Sequence, residues 1–116
     1  YAGANRPLWM VKDGELNEIK ATKVAVAGFT PDDQIYEEHE IAIEPGVKFY
    51  MTTDGYADQF GGLKNKKYKV KSMKTFVALH SNKSFEEQKT GLEAELLEWM
   101  GEFEQVDDVC VIGFEL

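Results

Sequence analysis

The stretch Glu44 to Gly55, EPGVKFYMTTDG, constrains the fold more than any other part of the chain. Pro45 and Gly46 stand where a type II turn places them. Val47 to Thr53 then reads as a strand, with Val47, Phe49 and Met51 on one face and Tyr50 on the other. Apolar residues on both faces predict a central strand. The strand runs directly into Thr53-Asp54-Gly55, so a carboxylate is expected at the end of a buried sheet element.

The other segments fit around this one. Leu8–Val11 and Leu16–Ile19 flank Asp13-Gly14, a strong hairpin signal. Residues 21–34, with the apolar Val24 to Phe29 and the breaker Thr30-Pro31-Asp32-Asp33, read as a loop with at most a short extended piece. Ile35 to Ile43 reads as a strand, with Ile35, His39, Ile41 and Ile43 on one face and Glu38 and Glu40 on the other. Residues 54–63 carry three glycines and read as a loop. Lys64 to Lys71 is a basic run. Met73, Phe76, Val77 and His80 then fall on one helical face. Ser84 with Glu87 is a capping-box pattern, followed by the stripe Phe85, Leu92, Leu96 and Trp99, with Gly101 as the stop. Val109 to Leu116 is apolar on both faces and reads as a buried strand. Four strands, two helices and a strand predict an α+β fold with mainly antiparallel pairing and a C-terminal helix pair.

A chain of 116 residues is one small domain that can bury a core without disulfides or a structural metal. Its single cysteine, Cys110, allows no intrachain disulfide and sits in an apolar run, where a buried structural role is expected. A net charge of −8 argues against general nucleic-acid or anionic-membrane binding. No apolar run is long enough for a membrane span or a signal-peptide core. A cytoplasmic location is expected, and a parent protein anchored through other domains is compatible with it. The opening tyrosine suggests a piece of a longer protein.

Chemistry is concentrated at Asp54 and at Asp107-Asp108, which precedes the last strand. If the two strands are neighbours, these carboxylates converge at one end of the sheet. Carboxylates without histidine or thiolate partners suit a hard cation such as Mg²⁺ or Mn²⁺. The plainer alternative is a turn at Asp54 and a solvated strand entry at Asp107. An EF-hand fails because Tyr56 stands at its second ligand position, and an Asp-x-Asp-Gly phosphotransfer motif fails because Thr52 replaces its nucleophile. His39 and His80 are isolated, with packing the expected role for His80. The lysine run is either a solvated loop or a recruiter of an acidic or phosphorylated partner.

Together, YAGANRPLWMV, EPGVKFYMTTDGYADQFGG and VDDVCVIGF resemble the C-terminal part of a SpoIIE-type phosphatase domain, in the type 2C class of metal-dependent protein serine/threonine phosphatases. The resemblance covers essentially the whole chain in order. It implies part of an α-β-β-α sandwich and, in the complete domain, a binuclear Mn²⁺ or Mg²⁺ centre whose activated water attacks phosphoserine or phosphothreonine. Asp54 and Asp107 match metal aspartates; Gly55 and Asp108 match site neighbours, and no further catalytic side chain is implied. The expected partner is a phosphorylated protein, often an anti-sigma-factor antagonist. Val47 and Cys110 depart from the family's Asp and Thr/Ser. Its upstream metal aspartate and Asp-Gly-x-Gly-His-Gly segment have no match in residues 1–116, so a single partial domain is expected, little active alone and open to self-association through an uncovered sheet face. A non-catalytic signalling module is the competing expectation. A generic acidic domain binding Mg²⁺ or Ca²⁺ is the third.

Overall fold

A computed structural model describes residues 1–116. Strands β1 (Leu8–Lys12) and β2 (Glu15–Ile19) form an antiparallel hairpin with Leu8 opposite Ile19 and Lys12 opposite Glu15. Asp13 and Gly14 both take positive φ, 51° and 79°. That is the two-residue turn whose twist matches its strands. Strand β3 (Lys48–Thr52) lies between β1 and the C-terminal strand, as its two apolar faces predict.

After β3 the chain forms a short helix α1 (Gly55–Asp58) and two-residue strands β4 (Phe60–Gly61) and β5 (Lys66–Lys67), paired with each other. The loop expected over 54–63 is therefore partly ordered. Burial of Tyr56 and Ala57 holds the α1 turn where glycine content alone argues against it. Helices α2 (Val70–His80) and α3 (Phe85–Met100) follow, then β6 (Val111–Glu115). The capping box at α3 is complete. Ser84 Oγ accepts from the Glu87 N–H, and the Glu87 carboxylate accepts from the Ser84 N–H. Gly101 ends the helix at φ 55°.

The main sheet has the order β2-β1-β3-β6 and is antiparallel throughout. Trp9, Val11 and Tyr50 face the helices and pack with Met73, Val77, Tyr56 and Tyr68. The opposite face carries a second, smaller core of Leu8, Val47 and Phe49, with Met51 and Phe114 beside it and Tyr1 and Ile41 packed over it.

Two strand expectations are corrected. Ile35 to Ile43 forms no strand. It makes one bridge, Ala2 to Glu38, and leaves Ile35 and Ile43 exposed. An alternating pattern supplies a face but not a hydrogen-bonding neighbour, and this segment adds to neither edge of the sheet. The last strand forms, but it is not buried: Ile112 is 49% exposed. It is an edge strand with β3 as its only neighbour. Cys110, just before it, is exposed rather than buried, because that edge is open.

Candidate functional site

The register of β3 and β6 builds the site. Thr52 lies opposite Val111, and the pairing continues past the strand ends. The Thr53 N–H donates to the Cys110 carbonyl at 3.0 Å. The Thr53 hydroxyl donates to the Asp108 carbonyl at 2.9 Å and accepts from the Cys110 N–H at 2.9 Å. One threonine thus stitches the Asp54 end of β3 to the chain entering β6. Gly55 completes the approach: a Cβ there would run into the Asp108 carbonyl and stand 3.2 Å from that of Asp107. The backbones bearing Asp54, Asp107 and Asp108 therefore meet at one end of the sheet.

The carboxylates themselves are solvent-facing. Asp54 Oδ2 accepts from Arg6 Nη2 at 2.7 Å. The guanidinium holds the Asp54 carboxyl below its ordinary range, helped by a backbone hydrogen bond. Asp107 Oδ1 accepts the Asp108 N–H at 2.8 Å, which fixes the Asp107 side chain against its own backbone. The donors are hard oxygens and suit Mg²⁺ or Mn²⁺. They do not make a full cage, since no three acidic, histidine or cysteine side chains converge tightly enough to hold an ion. These residues fit a share of a metal site, not a whole one.

Arg6 is the neighbour of Asp54 that spacing did not reveal. It lies 48 residues from Asp54. Its place depends on a turn: Asn5 has φ 61°, its N–H donates to the Thr22 carbonyl, and the Tyr1 hydroxyl donates to the Arg6 carbonyl. The only signal in the sequence is the cation within the opening YAGANRPL. The histidines stay outside the site. His80 stacks on Phe76 at 4.1 Å and uses Nδ1 at the Phe76 carbonyl, and His39 stacks on Tyr1.

The antiparallel sheet with a helix pair on one face is similar in fold to part of a PP2C domain. The solved SiaA-PP2C domain of Pseudomonas aeruginosa is similar to this chain, with a TM-score of 0.89 and 31% sequence identity. The match covers 99% of this chain and 45% of that one, so this chain spans less than half of that length. The family model of stage II sporulation protein E (SpoIIE) matches residues 1–116, and the chain belongs to that family. None of the curated proteins compared with the chain matches it.

Proposed function

We propose that the protein containing this chain is a metal-dependent serine/threonine protein phosphatase. Residues 1–116 would be the C-terminal portion of its catalytic domain, with Asp54 and Asp107 each contributing a carboxylate to a binuclear Mn²⁺ or Mg²⁺ centre. The observation that carries this reading is the seam at Thr53 and Gly55, which sets the Asp54 backbone against that of Asp107-Asp108. A divalent ion, when bound, supplies an activated water and neutralises phosphate charge. The chain's own part is to hold Asp54 and Asp107 at one sheet end, with Gly55 and Asp108 as close neighbours. Arg6 adds a cation beside the carboxylates that can meet a phosphoryl group. The substrate is a phosphorylated protein, with an anti-sigma-factor antagonist as the proposed target and the cytoplasm as the proposed location. No helix is long and apolar enough to cross a membrane.

The test uses the full-length protein with Mn²⁺ and a phosphoserine protein. Asp54→Asn and Asp107→Asn should each lower turnover by more than about 100-fold, since even groups behind the direct ligands cost about 10- to 100-fold. Undiminished turnover in either variant would remove that residue from the site. The competing reading, a non-catalytic interaction module, draws on the incomplete ligand set and on the thinly covered apolar face with Ile43 and Leu116 exposed. It predicts no Mn²⁺-dependent turnover in any length of the protein.

A further inference from the structure

The lysine run has a structural setting that the phosphatase reading does not use. Lys64, Lys66, Lys67, Lys69, Lys71 and Lys74 are six of the thirteen cationic side chains, within eleven residues that contain no acid, in a chain of net charge −8. Lys67 pairs with Asp58 at 3.1 Å and Lys74 with Glu18 at 2.6 Å. Lys64, Lys66, Lys69 and Lys71 are exposed and form no ion pair.

Their backbone is fixed. The Gly62 N–H donates to the Trp99 carbonyl at 2.9 Å, the Tyr68 N–H to the Gln59 carbonyl at 3.0 Å, and the Lys69 N–H to the Ala57 carbonyl at 2.8 Å. The buried Tyr68 ring stands edge-on to Tyr56 and Trp99 at 5.4 and 5.5 Å. The hairpin is thereby joined to α1, the helix that starts beside Asp54. Leu63, fully exposed at its tip, adds an apolar contact point. Lys69 is held at φ 79°, ψ 145°, close to a region that only glycine enters freely. A lysine kept there carries backbone strain that a glycine would relieve.

We propose that this hairpin, with Lys71, is a docking lip for an acidic, phosphorylated segment of a partner protein, which it delivers to the neighbouring carboxylate site. That the partner is also the substrate rests on the phosphatase reading; the docking does not. With its backbone already fixed, the hairpin has only its lysine side chains to order on binding, and each acidic residue they meet offsets that cost. A short acidic segment matches the footprint of one hairpin. Duplex DNA or an anionic bilayer would bring a larger field against the acidic remainder of the chain.

The test measures binding on the full-length protein by fluorescence anisotropy. The probe is a labelled twelve-residue Asp/Glu-rich phosphoserine peptide, and an uncharged peptide of equal length is the control. The triple variant Lys64→Glu, Lys66→Glu, Lys71→Glu should weaken acidic-peptide binding by about tenfold or more at low salt, with the difference from the wild type shrinking as salt rises. Turnover of p-nitrophenyl phosphate should be unchanged. Lys69→Gly should raise the unfolding midpoint yet weaken the peptide, a combination that a purely structural lysine would not give. Equal binding by the wild type and the triple variant would overturn the lip. So would tighter binding of a duplex DNA or of phosphatidylserine vesicles than of the peptide. Peptide binding without Mn²⁺-dependent dephosphorylation would uphold the lip and count against the phosphatase reading, which keeps the two failures apart.

Discussion

Gly55 shows how much of the site depends on one missing Cβ. It follows the acidic side chain of interest, and its φ is not of the kind that requires glycine. The requirement is proximity to the carbonyls of Asp108 and Asp107, which are backbone and cannot rotate away. Gly55→Ala must force the two chain segments apart. It should cost about 1–3 kcal/mol, as overpacking in a tight site does, and should loosen the Thr53 hydrogen bonds. Urea unfolding measures the first effect and amide exchange at Cys110 the second; an unchanged midpoint would show that the segments can separate freely. Asp54 and Asp107 were legible as candidates because each stands at a strand end. Their meeting was not legible, because it depends on the β3–β6 register and on Thr53, and a strand sequence does not carry its partner's register. Arg6 was hidden for a related reason: a turn across Asn5 and Thr22, not local periodicity, brings it to Asp54.

At the scale of elements, the local signals that held are those whose physics is itself local. The β1–β2 hairpin follows from its Asp-Gly turn, α3 from its capping box, and α2 from a stripe that buries Met73 and Val77. Ser84→Ala should therefore cost about 1 kcal/mol, readable by urea unfolding, with the fold retained. Ile35–Ile43 and the burial of β6 failed because both depend on neighbours. A second contact is non-local: Lys74 of α2 pairs with Glu18 of β2, and Trp9 Nε1 of β1 donates to the same carboxylate at 3.2 Å. The Lys74 hydrogen bond is the main reason the Glu18 carboxyl is lowered from its ordinary value of 4.5. A lowered folded value means that the ionised form stabilises the fold above pH 4.5 and that this contribution is lost as the pH falls through the lowered value. The group is about one-third exposed, so screening limits the effect to about 0.5 kcal/mol. Glu18→Gln should be less stable than the wild type by that amount at neutral pH and equal to it in strong acid. A gap that persists in acid would assign the loss to packing against Trp9 instead.

The whole molecule is a thin slab, 46 × 39 × 19 Å, with a radius of gyration of 15.6 Å. A globular chain of this length would have a radius of about 13 Å. The excess reflects the layering: one sheet, helices on one face, and little on the other. Only 17 of 116 residues are buried, most of them on the helix-covered side, with a smaller cluster of Leu8, Val47 and Phe49 on the other face. On the open face, a groove of about 270 Å³ is lined by apolar side chains alone, among them Leu8, Ile41, Ile43, Phe49, Phe114 and Leu116. Ile43 and Leu116 are 58% and 70% exposed. Apolar surface gathered in one patch gains roughly 25 cal/mol for each Å² removed from water, and a patch of this kind marks an interaction site. The 116-residue chain by itself should therefore associate through this face. Its sedimentation coefficient should rise with concentration, and it should enhance the fluorescence of a hydrophobic dye. Ile43→Lys with Leu116→Lys should suppress both effects while changing unfolding stability by less than about 0.5 kcal/mol per site, because both side chains are already largely in water. A wild-type chain that stays monomeric at hundreds of micromolar, or a double variant that associates as before, would mean that the exposed sheet face drives no association.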